Sequence, residues 1–196
     1  MKKAALVMML CMSMSLPVFA QEAAPETTTQ EAVAAAEDAA PAEFVWNDLM
    51  QESFAANGYS GTFYTIDALG MEMLVPDGLE KRQPTEEESK TDTVLVFANE
   101  EENQKIELVL GPVGECQTLE DVKEFMAETY PEISVNETII NGLDTLVFGS
   151  EATDSMTVLI GAGEAGFLRV ICRPVVDPEM NQLYSYVAAS IMPIEE

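Results

Sequence analysis

The chain has 196 residues, of which 35 are acidic, nine are basic and none is histidine, so its formal net charge at pH 7 is −26. This excess of negative charge argues against nucleic acid and anionic lipid as partners, because both would be repelled. The absence of an imidazole excludes Ser-His-Asp and Cys-His catalysis and histidine-ligated metal sites.

The first twenty residues have the pattern of a secretory signal peptide. Lys2 and Lys3 give a basic start, residues 4–12 form a short apolar stretch, and Val18-Phe19-Ala20 is a small-residue cleavage site. The apolar stretch is too short to span a hydrocarbon core of ~30 Å. We therefore predict cleavage after Ala20, a secreted or extracytoplasmic protein, and no stable membrane anchor once the signal is removed.

Residues 21–42 are acidic, biased toward Ala, Thr and Pro, and almost free of large apolar side chains. Such a composition cannot bury enough surface to offset the entropy of ordering, so we predict a disordered linker. It is interpreted either as a spacer or as a solubilising tail. Residues 43–196 then form a single globular α+β domain.

The first predicted helix of this domain covers residues 43–57. An apolar stripe containing Trp46 and Phe54 indicates one buried helix face, and Asn57-Gly58 gives a stop. Trp46 is interpreted as a core residue. The pattern then becomes that of short strands at 62–67 and 71–75.

Six further segments are predicted to be strands. The clearest pair flanks Asn141-Gly142, a dipeptide that permits the positive φ angles of a type I′ hairpin. The segments are 93–98, 105–110, 133–140, 143–148, 156–160 and 167–173.

Two helices interrupt these strands. Thr118 and Asp121 form a variant of the capping box, and Pro131 ends the helix that follows. Asp177-Pro178 starts the second helix, whose apolar positions repeat with helical spacing. These positions are Met180, Leu183, Tyr184, Val187, Ala188 and Ile191.

The strand composition predicts the layer architecture. Residues 94–97 and 158–160 are apolar at successive positions, which is typical of strands buried on both faces. Hairpin connections favour antiparallel pairing. We therefore expect an α+β fold with an antiparallel sheet of about seven strands and helices packed on both faces, an α/β/α sandwich.

Two sequence patterns that could bind a nucleotide or a metal ion are interpreted without a ligand. Residues 161–166 match G-x-G-x-x-G, but they precede a β-rich segment rather than a helix, so we interpret them as a hairpin loop. The acidic triplets at 86–88 and 100–102 lack the spacing of a calcium loop and are interpreted as solvated charge. No cofactor, metal or catalytic residue is predicted.

Arg169 and Arg173 are the candidate binding residues. They share one face of the last strand because their spacing of four is a multiple of the two-residue strand period. They could contact an anion or a partner, or simply pair with some of the many carboxylates.

Cys116 and Cys172 are the two cysteines left after signal cleavage. An even number of cysteines in an exported chain favours a disulfide, whereas two free thiols are an equally ordinary outcome. A catalytic thiol is not expected, since no histidine is available to activate it.

The order of elements resembles that of the PsbP-like group, which includes bacterial DcrB-type envelope proteins. The resemblance depends on Met73-Leu74-Val75-Pro76-Asp77-Gly78-Leu79 before a turn, the helix at 118–130, the hairpin at 139–143 and the closing helix at 177–191. It implies an α/β/α sandwich with an antiparallel sheet and a non-enzymatic accessory or binding role. It implies no particular site residues.

The favoured hypothesis is a secreted, non-catalytic binding or accessory protein of the bacterial cell envelope or extracellular space. Its partner would be a protein or a small molecule. One alternative is a hydrolase that uses carboxylates alone, such as a glycosidase, recognised by two facing acids in a cleft. The other is a carrier of a small apolar ligand, recognised by an enclosed cavity between sheet and helix.

Overall fold

The computed structural model describes residues 40–194, which contain four α-helices and eleven strands. The predicted signal peptide and residues 21–39 lie outside the described residues. The helices are α1 (Asp48–Ala56), α2 (Glu86–Ser89), α3 (Leu119–Thr129) and α4 (Pro178–Ala189). The strands are β1 (Ala42–Phe44), β2 (Gly61–Ile66), β3 (Met71–Pro76), β4 (Glu80–Arg82), β5 (Thr93–Ala98), β6 (Lys105–Gly111), β7 (Val135–Ile140), β8 (Leu143–Ser150), β9 (Ser155–Gly161), β10 (Phe167–Arg173) and β11 (Met192–Pro193).

The main sheet has eight strands in the order β1-β7-β8-β9-β10-β6-β5-β4. All neighbouring pairs are antiparallel except β1 and β7, which are parallel. The α+β class and the mostly antiparallel sheet agree with the sequence prediction. The strand count differs because β1 and β4 have three residues each, too few to show a periodic pattern.

A second sheet corrects the predicted arrangement. The two early strands do not join the main sheet, because β2 pairs with β3 and β3 pairs with β11 in a separate three-stranded sheet. One face of the main sheet is therefore covered by strands as well as by α4. Strand β1 also begins at Ala42, inside the segment predicted as linker.

The largest core lies between the main sheet, α4 and the small sheet. Val170 and Ile106 from the main sheet, Met73 from β3, and Val187 and Ile191 from α4 are completely buried there. Alternate residues of the central strands point the other way. Leu146, Leu159 and Phe167 of that opposite set pack against Val122 and Met126 of α3.

Helix α1 packs outside the small sheet and α4. Phe54 of α1 contacts Leu74 of β3 and Tyr186 of α4. The helix starts at Asp48 rather than at 43, because the Asn47 side chain caps it by accepting a hydrogen bond from the Met50 amide at 3.1 Å.

The predicted hairpin between β7 and β8 is confirmed. Asn141 and Gly142 have φ angles of 49° and 80°, as a type I′ turn requires. The Asn141 side chain also joins distant segments. Its Oδ1 accepts from the Trp46 amide at 2.6 Å, and its Nδ2 donates to the Ala189 and Ile191 carbonyls at 2.9 and 2.7 Å.

Candidate interaction surface

An exposed apolar group surrounds the start of α1. Leu49 is 74% exposed, Val45 51% and Phe63 38%, and the Phe63 ring meets the Trp46 ring edge-on with centroids 5.9 Å apart. We call Val45, Trp46, Leu49 and Phe63 the α1 patch. Single exposed apolar residues are ordinary, but several near one tryptophan are typical of an interaction surface.

The α1 patch rests on a well-packed base. Trp46 also contacts Phe54, which packs edge-on against Tyr186 with centroids 5.5 Å apart. The Tyr186 hydroxyl is hydrogen-bonded to Ser53 Oγ at 2.7 Å and accepts from Asn57 Nδ2 at 3.0 Å. These contacts hold α1 in place, so the patch is presented on an ordered helix. Trp46 is half-buried and therefore belongs partly to the core, as predicted, and partly to the surface.

The charges around the α1 patch have one sign. Residues 40–79 and 174–194, which form β1, α1, the small sheet and α4, contain no lysine or arginine. We call these two segments the acid-only region. Its charged side chains are Glu43, Asp48, Glu52, Asp67, Glu72, Asp77, Asp177 and Glu179.

Residues 80–173, the paired region, contain every basic side chain between 40 and 194. At the centre of its ion pairs lies Glu88 of α2, whose side chain is only 14% exposed. Its carboxylate accepts from Arg82 Nη1 at 2.7 Å and from Lys105 Nζ at 2.9 Å. The Arg82 guanidinium, more than the Thr85 amide and Lys105, holds the pKa of Glu88 far below its usual range, although burial opposes the shift.

Glu88 also corrects the interpretation of the acidic triplet at 86–88 as solvated charge. Helix α2 has a capping box formed with its N-cap residue Thr85. The Thr85 hydroxyl accepts from the Glu88 amide, and the Glu88 carboxylate accepts from the Thr85 amide. The capping geometry turns Glu88 inward, while Glu87 stays exposed. The interpretation as solvated charge treated these neighbouring carboxylates as equivalent.

The two candidate arginines of β10 differ in their partners. Arg173 donates from Nη2 to Glu107, which also pairs with Lys105 at 3.1 Å, so Arg173 belongs to the ion-paired cluster. Arg169 lies four residues before Arg173 on the same face and is half-buried. Burial lowers the pKa of its guanidinium, and the charge of Asp92 opposes this shift.

The possible disulfide is not formed, because Cys116 and Cys172 are both free thiols. Cys172 is buried with α4 on one face of the main sheet, whereas Cys116 packs beside Leu119 with the α3 cluster on the other. The sheet separates the two side chains. Burial raises the pKa of both thiols, to a value above the usual range for Cys172.

The G-x-G-x-x-G sequence lies in the connection between β9 and β10, as predicted. A single turn of 3-10 helix at Gly163–Ala165 precedes β10. Gly166 has φ +88°, and a Cβ there would come within 2.8 Å of the Gly111 carbonyl oxygen. The glycine at this position is explained by close backbone approach.

A groove of about 430 Å³ lies between the start of α3 and strands β7 and β8. Its lining includes Glu120, Glu137 and Asp144. Lys123 pairs with Glu137 at 2.9 Å and lies 3.9 Å from Glu120, so a cation of the protein already holds two of these acids. Within residues 40–194 no group of three or more acidic or cysteine side chains is arranged to hold a metal ion.

None of the helices between residues 40 and 194 is long and apolar enough to cross a membrane.

A scan against protein-family models finds no match, and a search of curated proteins also finds none. Among solved structures, the chain matches the solution structure of cyanobacterial PsbP (CyanoP) from Synechocystis sp. PCC 6803. The sequence identity is 14% and the TM-score 0.45, and the match covers 67% of this chain and 91% of that one. The match agrees with the PsbP-like resemblance noted in the sequence. Similarity of this degree carries no conclusion about function.

Proposed function

We propose that this protein is an extracytoplasmic, non-catalytic binding or accessory protein, built as a PsbP-like α/β/α sandwich, whose α1 patch docks a protein partner. The observation that carries the proposal is the position of exposed apolar side chains within a region that has carboxylates and no basic residue. The partner we infer presents an apolar centre with a basic rim.

The apolar centre supplies the binding energy. Leu49 exposes 74% and Val45 51% of their surface, so covering them removes apolar area from water. Aromatic anchors such as Trp46 and Phe63 often dominate the energetics of protein interfaces.

The acidic rim selects the partner. Asp48 and Glu52 are exposed on α1 beside the patch, and the acid-only region offers no cation to pair with them. A basic partner is attracted at range, whereas a second copy of this chain would bring the same carboxylates together. Charge therefore favours a basic partner over self-association.

Trp46 is the only tryptophan in the chain, so intrinsic fluorescence reports directly on the patch. The probe is a designed amphipathic helix of leucine and lysine, and its control is the same helix with glutamate in place of lysine. We expect the lysine peptide alone to shift the Trp46 emission, with binding that weakens as salt is added.

Two matched variants test the location. Leu49→Asp removes the most exposed apolar side chain of the patch and should abolish the response. Val94→Asp alters a side chain that is 50% exposed in the paired region and should preserve it. An equal response to both peptides, or one that survives Leu49→Asp, contradicts the proposal. An emission change on concentrating the protein alone would identify a second copy as the occupant.

Export is tested separately by N-terminal sequencing of the protein recovered outside the cytoplasm. We expect the sequence to begin Gln-Glu-Ala-Ala, following cleavage after Ala20. A retained Met1 would contradict the extracytoplasmic assignment without affecting the test of the patch.

A further inference from the structure

Arg169 is the one basic side chain between residues 40 and 194 that makes no hydrogen bond and no ion pair with those residues. Its Nε is buried and has no hydrogen-bond partner, and the same is true of the Nε atoms of Arg82 and Arg173. Those two arginines, however, donate to carboxylates through their other nitrogens. The other six all have polar partners: Lys81 with the Tyr64 hydroxyl, Arg82 and Lys105 with Glu88, Lys90 with Glu87, Lys123 with Glu137 and Arg173 with Glu107. In so acidic a chain, an arginine without a carboxylate partner is the exception.

Neighbouring strands surround Arg169 with apolar residues. It lies in register with Val109 of β6 and Leu159 of β9, which are 3% and 1% exposed. Burial of a charged donor without a partner is unfavourable, because the group loses water and gains nothing in return. The Arg169 guanidinium could therefore be satisfied by an acceptor that is not part of residues 40–194.

Asp92 acts on Arg169 through its charge without forming an ion pair with it. Asp92 has a positive φ of 61°, and its carboxylate lies over Gly111, where an added Cβ would be 3.2 Å from Oδ2. Gly111 is in register with Phe167, two residues from Arg169, and no ion pair joins Asp92 to Arg169. Asp92 therefore adds negative potential near the guanidinium while leaving its donors unoccupied.

We propose that Arg169 binds a single carboxylate group of a ligand through the planar fork of its guanidinium. A carboxylate matches two parallel N–H donors and carries one charge. A doubly charged phosphate would meet stronger repulsion from Asp92 and from the overall charge of −26. This site is distinct from the α1 patch, since Arg169 lies in β10, whereas the patch lies on α1, the segment just before it and β2.

The test follows the Nε–H resonance of Arg169 by ¹⁵N NMR during titration of the full chain with sodium acetate. Sodium chloride at equal ionic strength is the control for screening, and inorganic phosphate tests the choice of anion. We expect a saturable acetate shift at concentrations on the order of millimolar, because one small anion makes few contacts. A shift equal to that in chloride, or a stronger response to phosphate, would overturn the proposal.

Variants assign the effect to Arg169. Arg169→Lys keeps the charge but loses the fork and should weaken acetate binding by about tenfold. Arg169→Gln should abolish acetate-dependent shifts of the neighbouring Val109 and Leu159 amides, whereas Arg173→Gln should leave them unchanged. Persistence of those shifts in folded Arg169→Gln protein contradicts the assignment.

A second measurement remains available if a variant folds poorly. Thermal unfolding of the unaltered protein should show a higher midpoint in acetate than in chloride at the same ionic strength, since a ligand of the native state stabilises it. Equal midpoints across the titrated range would count against the site.

Discussion

The acid-only region and the paired region differ in whether their carboxylates have basic partners. Around α1 and α4, carboxylates face water without a basic residue in the same segments, and the helices are held by apolar contacts. Around α2 and β6, carboxylates such as Glu88 and Glu107 are nearly buried and bonded to cations. The net charge of −26 therefore does not distinguish a surface of unpaired, exposed carboxylates from one with nearly buried ion pairs.

The comparison concerns the charges with which each region would meet a basic partner. Both regions keep negative charge, since the paired region has twenty acidic and seven basic residues and the acid-only region has eight acidic residues. Only the acid-only region would meet a basic partner without cations of its own competing for the same carboxylates. Four substitutions or changes of condition test this difference, beginning with the largest expected effect.

Val187→Asp places a charge in a core for which the acid-only region supplies no cation. Val187 is completely buried among α4, β3 and the main sheet. We expect the free energy of unfolding to fall by more than about 4 kcal/mol, measured by urea denaturation. Val176→Asp, at a position 59% exposed, should change it by less than about 0.5 kcal/mol. Similar losses in both variants would mean that α4 is not docked as described.

Glu88→Gln tests the paired region. The change removes the carboxylate that Arg82 and Lys105 share and should cost about 2 kcal/mol, the loss of charged hydrogen bonds. The cost is not larger because Arg82 keeps its pair with Glu102 and Lys105 keeps its pair with Glu107. Glu87→Gln breaks only the exposed pair with Lys90 and should cost less than about 0.5 kcal/mol. Equal small losses would show that the cluster is a surface feature.

Acid should weaken the paired region through Glu88. The folded-state pKa of Glu88 is lowered, so its contribution to stability is fully present above the unfolded value near 4.5 and is lost as the pH falls through the folded value. Between about pH 7 and pH 3 we expect the difference in unfolding free energy between the unaltered protein and Glu88→Gln to shrink by about 1–2 kcal/mol. A constant difference over that range contradicts the role assigned to Glu88.

Salt should act mainly on exposed, unpaired carboxylates, among them those of the acid-only region. At an ionic strength of about 1 M the Debye length falls to about 3 Å, which screens repulsion among exposed carboxylates more than it weakens nearly buried pairs. The free energy of unfolding, measured by thermal denaturation, should therefore rise by less than about 1 kcal/mol. The double variant Asp48→Asn, Glu52→Gln should show a smaller rise; a fall in stability with salt would mean that exposed ion pairs dominate.

Regular periodic segments were predictable from the sequence. The capped starts of α3 and α4 at Thr118 and Asp177 were visible because polar caps precede amphipathic patterns. The Asn141-Gly142 turn was visible because few dipeptides tolerate both φ angles.

Features that depend on tertiary contact were not predictable. The separation of β2 and β3 into their own sheet depends on pairing with the two-residue β11, which has no local pattern. The different states of Arg169 and Arg173 depend on Glu107, which is far away in the chain and brought into register by β6. Trp46 was assigned to the core alone because its stripe extended into residues that precede the capped start of α1.

The contacts of Asn141 have a consequence for the ageing of the protein. Asn-Gly sequences are the common sites of spontaneous deamidation, which replaces the side-chain nitrogen with a carboxylate oxygen. In this protein that nitrogen donates to the Ala189 and Ile191 carbonyls. Deamidation would replace both hydrogen bonds with repulsion between a carboxylate oxygen and a carbonyl oxygen. The same side chain fixes the Trp46 amide. Slow chemical damage at one turn would therefore loosen the end of α4 and the α1 patch together, and stored protein should lose patch binding in step with deamidation measured by mass spectrometry.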